Sequence, residues 1–294
     1  MAIQNPKSKI QNTKSKIQNL KVAVVGYGKV GRVMAEAFTR IGCEVLVVAR
    51  PKGRAIQNPK SKIQNRISSL PTDLDFILLC VRDTQIRGLA EEIVKRGGFR
   101  KGTIVAHTAG AVSAGILAPV REVGCLALAW HPLQTFTGDE GADLLRGITF
   151  GIDGDAQAVR VGERLARALG GEPFRVPPEL RPLYHLGGVF ACNLMAGLVA
   201  VSQDLLAGMG MDEERSLRAL APLIRATADN IARQGLPGSI TGPLKRGDVD
   251  TIAAHLKVLE RHPEAWEIYR TLSRSLLRYL PAVENRRKLQ TLLP

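Results

Sequence analysis

Apolar positions along the chain fall into two regimes. Up to about residue 176, short β-branched runs alternate with stretches whose apolar residues recur every three to four positions. The run KVAVV at residues 21–25 leads directly into GYGKVG at 26–31. Val33, Met34, Ala37, Phe38 and Ile41 then follow at the spacing of one helix face. That order reads as strand, tight turn and helix, and a second strand over 44–49 (EVLVVA) completes a βαβ unit. Further strands are predicted over 75–81 (DFILLCV) and 102–107, with a helix over 84–96 between them and a strand-like run over 125–130. Near-continuous apolar strands alternating with helices are the pattern of a parallel sheet covered on both faces.

Beyond Pro177 and Pro178 the pattern changes to long amphipathic helices, punctuated by turns at 208–210, 235–238 and 262–263. The predicted architecture is therefore α/β, with an N-terminal doubly wound parallel sheet over 21–176 and an all-α domain over 177–294. Residues 1–20 form a tail. The longest apolar stretch, 186–202, is shorter than a membrane span and contains Gly187, Gly188 and Asn193, so it is predicted to be a buried helix and no membrane partner is expected.

The glycines of 26–31 carry the first functional signal. Gly26 permits the turn, Gly28 lets the backbone approach a pyrophosphate, and Gly31 lets the helix pack closely on the strand. With the strand before and the helix after, this is the Rossmann dinucleotide fingerprint, and Gly26, Tyr27, Gly28, Lys29, Val30 and Gly31 are assigned to the cofactor. The second strand ends at Arg50, where an NAD-preferring site carries Asp or Glu. Arg50, with Lys52 and Arg54 nearby, suits a 2′-phosphate, so NADP is expected in preference to NAD. Ligands in open α/β sheets sit at strand C-termini, so residues 80–83 and 107–110 should border the cofactor, with Cys80, Val81, Arg82 and Thr108 assigned to it and His107 to the substrate side.

The formal charge of +14 raises the question of nucleic acid. Six lysines of that charge lie in a repeat. The segment AIQNPKSKIQN at 2–12 recurs unchanged at 55–65, and 13–19 is a partial third copy. The repeat is too short and polar to bury a face and carries no aromatic residue for stacking, so it reads as an insertion, with one copy in the tail and one in a surface loop. No specific nucleic-acid partner is expected. Four scattered cysteines at 43, 80, 125 and 192 match neither a zinc site nor a disulfide scaffold, and residues 1–20 lack the apolar core of a signal peptide. A cytoplasmic setting and no metal are expected.

Four motifs occur together and in order: VAHTAGA at 105–111, HPLQTF at 131–136, YHLGGVFACN at 184–193 and TGPLKRGD at 241–248. From Lys21 to about Tyr279, apart from the inserted repeat, the chain resembles the Rossmann-like proteins whose C-terminal half is domain of unknown function 2520 (DUF2520). The resemblance implies an NAD(P)-dependent oxidoreductase of unassigned substrate, similar in plan to ketopantoate reductase and pyrroline-5-carboxylate reductase. Related two-domain reductases pair through their helical domains, which implies a homodimer. The chain departs from the pattern at Ala109, where serine is common, and at Arg82, where proline is common before Asp83.

In such enzymes the first helix of the C-terminal half faces the nicotinamide, which makes His185 and Asn193 the catalytic candidates, His185 as proton donor and Asn193 as a substrate hydrogen-bonding group. Histidine is the side chain that ordinarily titrates near neutrality. Cys192, seven residues after His185, shares its helix stripe. His107 and His131 follow strands and either line the substrate site or turn the chain. Thr241 and Arg246 form a polar loop with Asp248, in which Arg246 either takes a substrate carboxylate or closes the loop. His255 follows seven residues after Asp248. The expected function is NADPH-dependent reduction of a small 2-oxo acid or imine, ketopantoate-like. The alternative is a non-catalytic NADP-binding sensor, consistent with the missing serine.

Overall fold

The computed structural model describes residues 18–49, 62–64, 67–280 and 283–293. Arg50, Lys52, Arg54, most of the second repeat copy and the first 17 residues lie outside the described residues, so the expectations placed on them do too.

Eight strands form one sheet in the order β3-β2-β1-β4-β5-β6-β7-β8. Strands β1 (Lys21–Val25), β2 (Glu44–Val48), β3 (Lys62–Gln64), β4 (Phe76–Leu79), β5 (Ile104–His107) and β6 (Leu126–Pro132) are parallel. Strand β7 (Thr149–Gly154) runs antiparallel to β6, and β8 (Glu172–Arg175) is parallel to β7. The β1–β2 crossover is α1 (Lys29–Arg40), β4 is followed by α2 (Asp83–Arg96), and α3 (Ala156–Ala168) joins β7 to β8. The repeat does more than lengthen a loop, because its Lys62–Gln64 pairs with the open edge of β2. That edge offers unpaired backbone groups to whatever chain follows.

Alternate residues of each strand feed opposite layers. Val22 and Val24 join Val33, Met34, Phe38, Trp130 and Phe150 in one core, while Ala23 and Val25 join Ile77, Leu79, Ile86, Ile93 and Leu117 in the other. Trp130 organises the first layer. Its ring stacks on Phe150 at 4.7 Å and on Phe38 at 5.9 Å, and its Nε1–H donates to the Gly162 carbonyl at 3.1 Å.

Two compact units result, residues 1–193 and 194–294. The first keeps α4 (Arg181–Ala191), which follows a 3₁₀ turn at Pro178–Leu180, although the composition changes already at Pro177. The second holds α5 (Asn193–Ala207), α6 (Glu213–Ser239), α7 (Gly242–Arg246), α8 (Val249–Leu259), α9 (Pro263–Tyr279) and α10 (Arg286–Leu292), with a core of Ile240, Leu244, Ile252, Leu277, Leu280, Leu289 and Leu293. The turn predicted near 235–238 is a kink: Gly235 takes φ +68°, ψ 176° and helix resumes to Ser239.

One expectation fails. Residues 186–202 are neither one helix nor buried. The helix breaks at Cys192 (φ −120°, ψ −73°), and Leu186 and Phe190 are 45% and 60% exposed. Among the described residues, the helical stretch Pro178–Ala207 is the one long and apolar enough to cross a membrane, with a mean hydropathy of 1.6.

Candidate functional site

The loop between β1 and α1 is shaped by three glycines with different surroundings. Gly26 takes φ +95°, and a Cβ there would strike the Cys80 carbonyl. A Cβ on Gly31 would strike the Gly26 carbonyl, so the helix reaches the strand only without one. At Gly28 a Cβ would meet nothing within 4 Å. Gly28 is also the N-cap of α1, without a side-chain cap and without an acidic residue in the first turn. Uncapped N–H groups at a helix N-terminus attract anions, and here they face open space. Beside them lies a cavity of about 1230 Å³, lined by Val25, Gly26, Val48, Cys80, Val81 and Arg82 among others. The cradle and cavity fit a dinucleotide.

Among the neighbours, Tyr27 and Val30 pack partly buried on the first core layer, and the stem of exposed Lys29 covers Gly138. The Thr108 backbone N–H donates to the Leu79 carbonyl at 3.3 Å, which holds it beside Cys80. Burial pushes the Cys80 thiol up to about 12, against a smaller lowering from its hydrogen bond to Thr108.

A second cluster lies where β5, β6 and α4 meet. His131, near the end of β6, has its Nδ1 3.2 Å from the Tyr184 hydroxyl and its ring 5.9 Å from that of His185, edge to face. Gly110 forms the floor, where a Cβ would collide with His185 and lie 2.8 Å from His131 Nε2. Burial, then the charge of Arg181, then His185 and His107 hold the His131 imidazole down at about 4. The Tyr184 phenol is pushed up to about 12, chiefly by burial.

Arg181, the first residue of α4, is fully buried. Its Nε donates to Asp153 Oδ2 at 2.5 Å, and Nη2 donates to the carbonyls of Ala129 and Gly151 at 3.1 and 3.0 Å. Asp153 Oδ1 accepts the Ala114 N–H at 2.8 Å. This network ties the first turn of α4 to β6 and β7. Tyr184 and His185, three and four residues on, are thereby brought over the sheet end.

The model for a Rossmann-like domain matches residues 5–132, and that for Domain of unknown function (DUF2520) matches 148–276. The two models match in the order in which the motifs of the sequence place them. In structure it is similar to protein BF3122 of Bacteroides fragilis, at 24% identity and TM-score 0.68 over 88% of this chain and 98% of that one. It is also similar to a Plasmodium falciparum pyrroline carboxylate reductase with NADP bound, at 12% and 0.57 over 89% and 97%. A third likeness is to an imine reductase variant from Myxococcus stipitatus in complex with NAD+, at 16% and 0.56 over 94% and 100%. No curated protein matches the sequence.

Within the DUF2520 pattern the expected residues separate. His185 joins the cluster. His107 does not offer itself to a substrate: it is fully buried, its Nδ1 accepts the Ala109 N–H at 3.2 Å and its Nε2 lies 3.2 Å from the Ser113 carbonyl, so both nitrogens close the loop after β5. Burial holds it near 4. Asn193, expected beside the His185 stripe on the same helix, is exposed beyond the break at Cys192 and begins the next helix. Thr241 and Arg246 are exposed in the second unit, and Arg246 lies 3.9 Å from Asp248. Asp248 caps α8 through the Thr251 N–H at 3.1 Å, and His255 pairs with Tyr269 at 2.9 Å. Sequence reasoning passed over Tyr184, Arg181 and Asp153, and placed Gly110 only at the border of the cofactor. Tyr184 and Gly110 stood inside quoted motifs, whereas a sequence holds no local sign that Asp153 meets Arg181.

Proposed function

We propose that the chain is an NAD(P)-dependent oxidoreductase that prefers NADP and reduces a small 2-oxo acid or cyclic imine. The carrying observation is the uncapped N-terminus of α1 behind Gly28, next to a cavity that is lined by Gly26, Cys80, Val81 and Arg82 and runs along α2 to Arg96. The pyrophosphate would rest on the first turn of α1, with Val81, Arg82 and Thr108 beside the remainder. A dihydronicotinamide bound there supplies a hydride to a carbonyl or imine carbon. The chain must then supply a proton, and His185 is the donor we assign. That a pyrroline carboxylate reductase with NADP and an imine reductase with NAD+ share the fold supports the class of reaction. The preference for NADP rests on Arg50.

The sensor alternative loses its main support from Ala109. Its side chain packs in the second core layer, so a serine at that position would start from a buried Cβ. Thr241 and Arg246 are retained as substrate-carboxylate contacts, the homodimer as the working assembly and the cytoplasm as the compartment.

Titration of the protein with NADPH and NADH, followed by NADPH oxidation on a panel of 2-oxo acids and cyclic imines, tests the reading. Tighter binding of NADPH with turnover on one panel member is expected. Tight binding without any turnover would instead establish the sensor.

A further inference from the structure

The cluster contains two imidazoles held in different ways. Neither ring nitrogen of His185 has a hydrogen-bond partner among the described residues, whereas His131 Nδ1 is engaged by Tyr184 at 3.2 Å. The direction of that bond follows from chemistry. A phenol O–H is a stronger acid than an imidazole N–H, and the bare imidazole nitrogen is the stronger acceptor, so Tyr184 donates and Nδ1 accepts. An accepting Nδ1 leaves the ring proton on Nε2. Nε2 in turn has no hydrogen-bond partner among the described residues and lies close to Gly110, where a Cβ would sit 2.8 Å from it and collide with the His185 ring. Gly151 does the same for the phenol, since a Cβ there would lie 2.5 Å from its Cζ.

We propose that His131, locked by Tyr184 in the tautomer that carries its proton on Nε2, donates a hydrogen bond to the carbonyl oxygen or imine nitrogen of the substrate beside His185. The inference rests on the reductase reading and deepens it: His131 is the electrophilic residue and Tyr184 its positioning residue. Every charged or titratable group that faces His131 favours the neutral ring. Arg181 comes from α4 with its charge shared by Asp153, His185 comes from the same helix, and His107 comes from β5. A neutral imidazole donates through Nε2–H without surrendering the proton, so charge that develops on the substrate oxygen is met by a fixed dipole.

The test uses the full chain labelled with ¹⁵N-histidine, in which long-range ¹H–¹⁵N correlations read each tautomer without turnover. His131 signals are assigned by their loss in His131→Gln. The expected result is protonated Nε2 and bare Nδ1 at His131 from pH 5 to 8, with the Nε2–H proton shifted when oxamate is added to the NADPH complex. Tyr184→Phe should mix the tautomers and reduce turnover about tenfold while NADPH binds as before. A wild-type Nδ1–H form, an imidazolium at pH 6, or an Nε2–H signal that oxamate leaves in place would overturn the proposal. Failure of the reductase reading is seen separately, as a wild-type chain that oxidises no NADPH on the panel.

Discussion

Gly28 and Gly31 lie three residues apart on one turn and answer to different demands. A Cβ at Gly31 meets the Gly26 carbonyl, so Gly31→Ala should lower stability and cofactor affinity together. Among the described residues a Cβ at Gly28 would meet nothing within 4 Å, and in the proposed function the cofactor takes that space. Gly28→Ala should change the unfolding free energy by no more than about 1 kcal/mol, the scale of an N-cap substitution, while raising the Kd for NADPH at least tenfold. Thermal melts beside NADPH titrations separate the two. Equal loss of stability in both variants would show that Gly28 serves packing after all. The buried imidazoles make a second residue-scale prediction. His107 and His131 are held near 4, below the ordinary 6.5, so between those values the unfolded chain binds protons that the folded chain refuses. Stability is therefore fully present above pH 6.5 and falls as the solution is acidified, by at most about 1.4 kcal/mol per pH unit for each imidazole. Denaturant unfolding from pH 7 to pH 5 should show that slope, and His107→Gln should remove about half of it. An unchanged slope in the variant would mean that other groups set the acid limit.

At the scale of elements, α4 is fixed to the sheet by one buried ion pair rather than by a large apolar face. Arg181 and Asp153 are both buried, and removing one partner leaves the other charged and unsolvated, a change worth about 3–5 kcal/mol. Asp153→Ala should destabilise the chain on that scale and also release the Ala114 N–H, whereas the exposed Arg246→Ala should leave the melting temperature within a degree or two. Calorimetry on the two variants decides it; an Asp153→Ala protein as stable as wild type would show that α4 is held by other contacts. The same pair explains what the sequence could reveal. Strand β1, the glycine turn and α1 were legible because each depends on neighbours within a few residues: β-branched run, glycine spacing, apolar period. Strand β6 was legible as a run, but its extension through His131 and Pro132 depends on antiparallel pairing with β7. The attachment of α4 depends on a contact 28 residues apart, and the break at Cys192 interrupts an apolar run without a proline. The site divided along the same line. The glycine cradle was readable, His185 was readable as a candidate, and the Tyr184–His131 bond, 53 residues apart, was not.

For the whole molecule, charge and apolar surface point to different partners, and the apolar surface is the more specific. Residues 1–17 contribute Lys7, Lys9, Lys14 and Lys16 to the charge, and among the described residues the Asn19 N–H donates to the Gly42 carbonyl. Deleting residues 2–17 should leave NADPH affinity unchanged in a direct titration. The apolar side chains are another matter: Leu183, Leu186 and Phe190 are exposed on α4 in the first unit, and Leu194, Met195 and Leu198 on α5 in the second. Monomeric soluble proteins seldom leave so much apolar area in contact with water. A membrane is the less fitting occupant, because the stretch breaks at Cys192 into helices of 11 and 15 residues, which only together reach the roughly 20 that span a bilayer. A second copy of the chain brings an equally apolar surface, and a stable pairing needs to bury about 1,200–2,000 Å² in total. The chain should therefore sediment as a dimer at micromolar concentration, and Phe190→Glu, which places a charge at the most exposed aromatic of α4, should sediment as a monomer with an intact NADPH titration. Co-sedimentation with lipid vesicles would assign the surface to a bilayer instead, and a monomeric wild-type chain would remove the dimer from the proposed function.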